Sequence, residues 1–99
     1  MRKADDIIET LAAHRDALEN CGVQELALFG SCARGEAGDA SDLDFVVRFE
    51  RKSFDGYMDL KHFLEDVFAC RVDLVIEEAI KPRLREAILR EAIHAPGLS

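Results

Sequence analysis

The chain has 99 residues, of which 48% are hydrophobic and 33% are charged, and its formal net charge is −7. This length suits one domain with its own core, so we expect a single domain over residues 1–99. An acidic chain repels a polyanion, so no direct nucleic-acid binding is expected. Because no apolar run is long enough to span a membrane and no signal-peptide core is visible, we expect a cytoplasmic protein without a membrane partner.

The predicted elements of the first half alternate between helix and strand. Apolar residues at helical spacing predict a helix over 5–20, which ends at Cys21 and Gly22. An uninterrupted apolar run then predicts a strand over 24–29, covered on both faces. A short helix or turn over 31–36 and a polar loop over 37–41 precede a second predicted strand over 41–49, where β-branched and aromatic residues are concentrated.

The second half continues this alternation. A charged connection precedes a predicted helix over 55–69, whose apolar positions recur with the helical period. A third strand is predicted over 71–76, followed by a helical stretch over 77–92 whose helix proper begins at Lys81 or Pro82. From His94 onward the chain is expected to fray or to form a short extended tail. The order α-β-α-β-α-β-α predicts an α+β or α/β domain, a small sheet with helices packed against it.

The stretch over 29–47 joins two of these strands and carries most of the candidate chemistry. Asp42 and Asp44 are separated by one residue on a predicted strand, so their side chains point to the same face, about 6–7 Å apart. Two like charges at that distance repel each other and are costly to desolvate. Carboxylate oxygens on a rigid strand suit magnesium, so the pair predicts a metal site.

The beginning of the same stretch predicts phosphate binding. Gly30 allows a close approach of the backbone to a ligand, and Ser31 can cap a short helix whose free amides attract phosphate. A phosphate site and a metal site on one segment indicate a nucleoside triphosphate with bound magnesium.

A third carboxylate, Asp73, lies in the middle of the predicted third strand among aliphatic residues. A carboxylate in such a place is costly unless it is paired with a metal or a cation. A salt bridge from Asp73 to Arg34 or Arg48 is the structural alternative to a metal-binding role.

The motif resembles that of a known superfamily. Gly30-Ser31, ten intervening residues and Asp42-Leu43-Asp44 resemble the signature of the DNA polymerase β-like nucleotidyltransferases. The fuller string from Gly30 to Glu36, with Ser41 before the first aspartate, is similar to the minimal nucleotidyltransferase branch. Members of that branch are small antitoxins encoded beside a helical ribonuclease toxin of the HEPN type.

This resemblance implies a mixed three-stranded sheet with the site at one edge of its open face. It implies that Asp42, Asp44 and Asp73 hold Mg²⁺, two ions in all, and carry the catalysis. Nucleotide binding is implied for Gly30, Ser31, Arg34, Glu36 and Ser41. For two of these the residues leave a local alternative open, since Arg34 can pair with Glu36 and Ser41 can simply cap the turn.

The activity implied by the resemblance is transfer of AMP from ATP to a tyrosine of the partner ribonuclease, which blocks its toxicity. Two other functions are open. One is an antitoxin that neutralises the toxin by binding alone, and the other is a stand-alone transferase acting on a small hydroxylated molecule such as an aminoglycoside.

Overall fold

A computed structural model describes residues 4–30, 42–50 and 54–94. Its helices are α1 (Ala4–Ala13), α2 (Arg15–Asn20), α3 (Phe54–Phe68) and α4 (Pro82–Glu91), and a 3₁₀ turn spans Glu77–Ala79. Its strands are β1 (Val23–Phe29), β2 (Leu43–Phe49), β3 (Val72–Ile76) and β4 (Ile93–His94). The predicted α+β class is confirmed, whereas the short helix expected over 31–36 and the loop over 37–41 lie outside the described residues.

The strands form one mixed sheet in the order β3-β2-β1-β4. β1 is antiparallel to both β2 and β4, and β2 is parallel to β3, with α3 as the crossover between them. The prediction of a three-stranded sheet was therefore wrong, because the described part of the chain contains a fourth strand. Ile93 and His94 pair with Leu28 and Ala27, so the expected extended tail begins as a fourth strand.

The main core lies on the face of the sheet that α1, α2 and α3 cover. Alternate residues of each strand point into it, as the two-residue period of a strand requires. The ring of Phe45 on β2 stacks on Phe68 of α3, with centroids 5.9 Å apart. The buried residues of the main core are Ile7, Leu11, Leu18, Val23, Leu26, Leu28, Leu43, Phe45, Val47, Phe49, Leu60, Leu64, Phe68, Val72 and Leu74.

The predicted first helix is interrupted at His14. The His14 backbone has φ −107° and ψ 20°, which ends α1 and begins α2. Its ring nitrogen Nδ1 lies 2.9 Å from the carbonyl oxygen of Thr10, and the ring packs edge-to-face on Phe63 of α3. The Thr10 carbonyl oxygen also accepts a 3.2 Å hydrogen bond from the His14 backbone N–H, and periodicity alone does not reveal the break between the two helices.

The described residues cover the opposite face of the sheet only in part. Ala27, Val46 and Ile80 form a second, smaller buried cluster, against which Ile88 and Leu89 of α4 pack. The predicted helical stretch over 77–92 is divided, because Ile80 is extended and α4 proper begins at Pro82, as predicted. No α4 residue is buried, and its Leu84 is 48% exposed, so the predicted apolar stripe is only partly used.

A buried carboxylate anchors α4 to the sheet. Glu77, in the 3₁₀ turn after β3, is 9% exposed and accepts a hydrogen bond of 3.0 Å from the Arg85 guanidinium. Such a contact fixes the helix relative to the end of β3. None of the helices within the described ranges is long and apolar enough to cross a membrane.

Two leucines of different exposure test this division between core and surface. Leu64→Ala should lower the free energy of unfolding by about 2–5 kcal/mol, because it leaves a cavity in the main core. Leu84→Ala removes the same atoms from an exposed position and should change stability by less than about 0.5 kcal/mol. Urea denaturation measures both. Equal losses in the two variants would contradict the assignment of the core.

Candidate active site

Two carboxylates lie side by side on the partly covered face of the sheet. Asp44 of β2 is the register partner of Phe29 on β1 and of Asp73 on β3. Register partners on neighbouring strands point to the same face, and such strands are about 4.8 Å apart. Since Leu43 and Phe45 are buried in the main core, the alternation of β2 directs Asp44 to the opposite face. The sheet thus makes Asp44 and Asp73 neighbours, although 28 residues lie between them in sequence.

Gly30, directly after β1, makes room for one of these carboxylates. Its φ of +79° lies in the left-handed region, which favours glycine. A Cβ atom added there would lie 3.0 Å from Cγ of Asp44, and closer still to the carboxylate oxygen Oδ2. The absence of a side chain at Gly30 therefore permits the observed position of Asp44.

A cavity of about 300 Å³ connects Asp73 with the first aspartate of the motif. Asp42 and Asp73 both line it, together with Lys61 of α3 and Arg71, the residue before β3. The remaining lining residues are Glu65 and Val72. The structure thus places Asp44 beside Asp73 and Asp42 on the same cavity as Asp73, but the three carboxylates do not form one group close enough to hold a metal ion.

Lys61 and Arg71 were not identified from the sequence. Lys61 is brought there by the docking of α3 on β3, where a Glu65 carboxylate oxygen accepts a 3.2 Å hydrogen bond from the backbone N–H of Val72. The sequence does contain a local signal for Arg71, because residues two positions apart on an extended chain, such as Arg71 and Asp73, point to the same side. The contribution of α3 depends on tertiary packing and has no such signal.

The prediction that Asp73 lies among buried aliphatic residues was wrong. Its side chain is exposed on the edge strand, so it does not bear the desolvation cost that was expected of a buried carboxylate. A salt bridge to Arg48 is also excluded, because the Arg48 guanidinium pairs with Glu25 at 2.7 Å, at the other end of the β1–β2 register. Arg34, the other alternative partner, lies outside the described residues, as do Ser31, Glu36 and Ser41.

The donor set fits magnesium. Within the described ranges no three His, Cys, Asp or Glu side chains are close enough together to hold a metal ion. Mg²⁺ is usually held by one or two carboxylates together with water and substrate phosphates, rather than by a cage of protein ligands. The neighbouring carboxylates of Asp44 and Asp73 meet that requirement as a pair, without Asp42 as a third ligand in one group.

Comparison with known proteins identifies the family of this chain. Residues 8–94 match the model of the nucleotidyltransferase domain family, which is most of the chain. The chain belongs to the nucleotidyltransferase domain family. Protein adenylyltransferase MntA of Thermococcus cleftensis is 38% identical to it over 96 residues, 95% of this chain and 97% of that protein. The family resemblance inferred from the motif is confirmed.

Solved structures of other nucleotidyltransferase-like chains share the fold. A structure described as a candidate minimal nucleotidyltransferase is 45% identical, with a TM-score of 0.73, and the match covers 87% of this chain and 93% of that one. A chain of a toxin–antitoxin structure with AMP-PNP is 24% identical, with a TM-score of 0.69, over 97% of this chain and 74% of that chain.

A third similar structure comes from Shewanella oneidensis, a complex of a tri-AMPylated HEPN toxin with an MNT antitoxin. One of its chains is 18% identical to this one, with a TM-score of 0.63, over 91% of this chain and 72% of that chain. At these two lower identities the likeness concerns the fold alone.

A pair of glycine substitutions separates backbone strain from the position of Asp44. Gly22 and Gly30 both have positive φ, of 82° and 79°, but a Cβ at Gly22 would meet no atom within 4 Å. Gly22→Ala should therefore cost about 1–2 kcal/mol of stability and leave nucleotidyl transfer unchanged. Gly30→Ala has the same backbone cost and also displaces the Asp44 carboxylate, so transfer should fall by tenfold or more. Thermal unfolding and initial rates measure the two effects, and equal rates in both variants would contradict this role of Gly30.

Proposed function

We propose that this nucleotidyltransferase is a Mg²⁺-dependent protein adenylyltransferase, the antitoxin of a toxin–antitoxin pair. In this proposal it transfers AMP from ATP to a tyrosine of a helical HEPN-type ribonuclease toxin. The observation that carries the proposal is the placement of Asp44 beside Asp73, with Asp42 on the adjoining cavity, in a chain of the nucleotidyltransferase family.

The three aspartates have two roles in this reaction, metal binding and proton transfer. Asp42, Asp44 and Asp73 would hold the magnesium, which when bound supplies charge neutralisation at the phosphoryl oxygens. Asp73, exposed at the edge of the sheet, accepts the proton of the attacking hydroxyl. That hydroxyl oxygen forms the new bond to the α-phosphorus of ATP, and the bond from this phosphorus to the β-bridging oxygen breaks. Pyrophosphate leaves with the electron pair of the broken bond.

The other predicted residues bind the nucleotide in this proposal. Gly30 positions Asp44, and the backbone amides at Gly30 and Ser31 hold the outer phosphates. Arg34 contacts a phosphate through its planar guanidinium, and Glu36 and Ser41 position the base and Asp42. These nucleotide-binding roles follow from the family motif and complete the site around the aspartates.

The protein acceptor is supported by two relatives. Protein adenylyltransferase MntA matches this chain over nearly its whole length, which supports an activity of the same kind for this chain. The AMPylated HEPN toxin with an MNT antitoxin supplies the class of acceptor, a protein that docks as a separate chain.

Labelling the partner with ATP tests the proposal. The wild-type chain, incubated with Mg²⁺, ATP labelled at the α-phosphorus and the ribonuclease encoded beside it, should transfer label to that ribonuclease. Asp44→Ala should reduce the initial rate by at least about a thousandfold, since loss of transition-state charge stabilisation of about 4 kcal/mol has that effect. Asp66→Ala, which removes an exposed aspartate of α3, is the matched control and should retain the wild-type rate.

The same experiment distinguishes the alternative functions. Absence of label on the ribonuclease, with toxicity still neutralised in a stable complex, would identify an antitoxin that acts by binding. Label on an aminoglycoside in the absence of any protein partner would identify a small-molecule transferase. Replacing tyrosines of the ribonuclease by phenylalanine tests the acceptor residue, because label should persist in every such variant if another side chain is modified.

A further inference from the structure

The cavity beside Asp73 contains two cations for which the proposed mechanism has no use. Lys61 and Arg71 line it together with Asp42 and Asp73. Among the described residues the ion pairs within 4 Å are Arg48–Glu25, Arg85–Glu77 and Arg90–Glu86. The cavity has five charged side chains, those of Asp42, Lys61, Glu65, Arg71 and Asp73, and none of them takes part in those pairs, so both cations are available to a ligand.

Ordinary structural roles do not account for these cations. A lysine four residues before a glutamate on a helix commonly pairs with it, but the Glu65 carboxylate bonds the backbone of Val72 instead. Arg71 contributes to the sheet through its backbone, since its carbonyl oxygen accepts a hydrogen bond of 3.1 Å from the N–H of Leu43. The Arg71 side chain is exposed and is not needed for that contact.

The positions of the two cations indicate what they bind. Gly30 follows β1, Asp44 is on β2 and Asp73 is on β3, so the three lie in order across one end of the sheet. Lys61 and Arg71 are on the Asp73 side, away from the segment expected to hold the outer phosphates of ATP. An ammonium and a guanidinium in one cavity suit a phosphate group, because both form short charge-assisted hydrogen bonds to its oxygens.

We propose that Lys61 and Arg71 form a phosphate-binding subsite on the Asp73 side of the active site. The inference rests on the proposed nucleotidyl transfer and deepens it. Two sources of phosphate have this chemistry, the triphosphate of the incoming ATP and the phosphate of an AMP already attached to the acceptor. In either case the subsite holds a phosphate next to the carboxylate that accepts the proton.

Binding measurements on charge-removing variants test the subsite. Lys61→Met and Arg71→Met remove one positive charge each, and Arg83→Met removes one from an exposed position on α4, outside the cavity. Calorimetry on the full chain uses inorganic tripolyphosphate and, with Mg²⁺, a non-hydrolysable ATP analogue. Loss of one charged hydrogen bond should weaken tripolyphosphate binding by about tenfold or more, less so as salt rises, whereas Arg83→Met should stay within about twofold.

The two phosphate sources give different results. If the phosphate belongs to the incoming nucleotide, Lys61→Met weakens binding of the ATP analogue, and Lys61→Arg restores most of it. If it belongs to the acceptor, affinity for the analogue is retained, and Lys61→Met slows transfer to a partner that already carries one AMP by tenfold or more relative to the unmodified partner. Either result supports the subsite.

Other results separate this inference from the proposed function. If Lys61→Met and Arg71→Met match Arg83→Met in tripolyphosphate binding, in analogue binding and in both transfer steps, the subsite is overturned. If the wild-type chain neither binds the ATP analogue with Mg²⁺ nor labels any acceptor, the proposed function is overturned instead. Circular dichroism melting of each variant confirms that only charge, and not the fold, has changed.

Discussion

The parallel pairing of β2 with β3 is the constraint on which the rest of the site depends. It sets Asp44 opposite Asp73, and the same register sets Val46 opposite Val75 and Val47 opposite Ile76. A shift by one residue would turn either aspartate into the main core, where an unpaired carboxylate is strongly unfavourable. The apolar residues of these strands thus fix the register, and the register places the carboxylates.

The described helices cover the two faces of the sheet unequally. α1, α2 and α3 pack on the face that carries the main core, while α4 packs on the apolar middle of the other face through Ile88 and Leu89. Glu77 and Arg85 hold α4 in that position. Asp73 remains exposed on β3, the last strand of the sheet within the described residues.

The sequence predicted the aspartates better than it predicted their surroundings. The period of a strand places alternate residues on one face, so the candidate role of Asp44 required only its position and the Gly30-Ser31 motif. The same rule predicts that Asp73 lies on the face of β3 opposite Val72 and Leu74. Its exposure, however, depends on β3 being the edge strand, which is a property of the whole sheet. Lys61 enters the cavity through the docking of α3, and the two-residue β4 is too short to give a periodic signal.

The dependence of nucleotide affinity on Mg²⁺ tests the central claim, that the paired carboxylates of Asp44 and Asp73 form one metal site. Calorimetry with a non-hydrolysable ATP analogue, with Mg²⁺ and then with EDTA, should give at least tenfold tighter binding with the metal for the wild-type chain. Asp73→Asn keeps the shape of the side chain but removes its charge, and it should abolish most of that difference. The same gain from Mg²⁺ in wild type and Asp73→Asn would contradict the account.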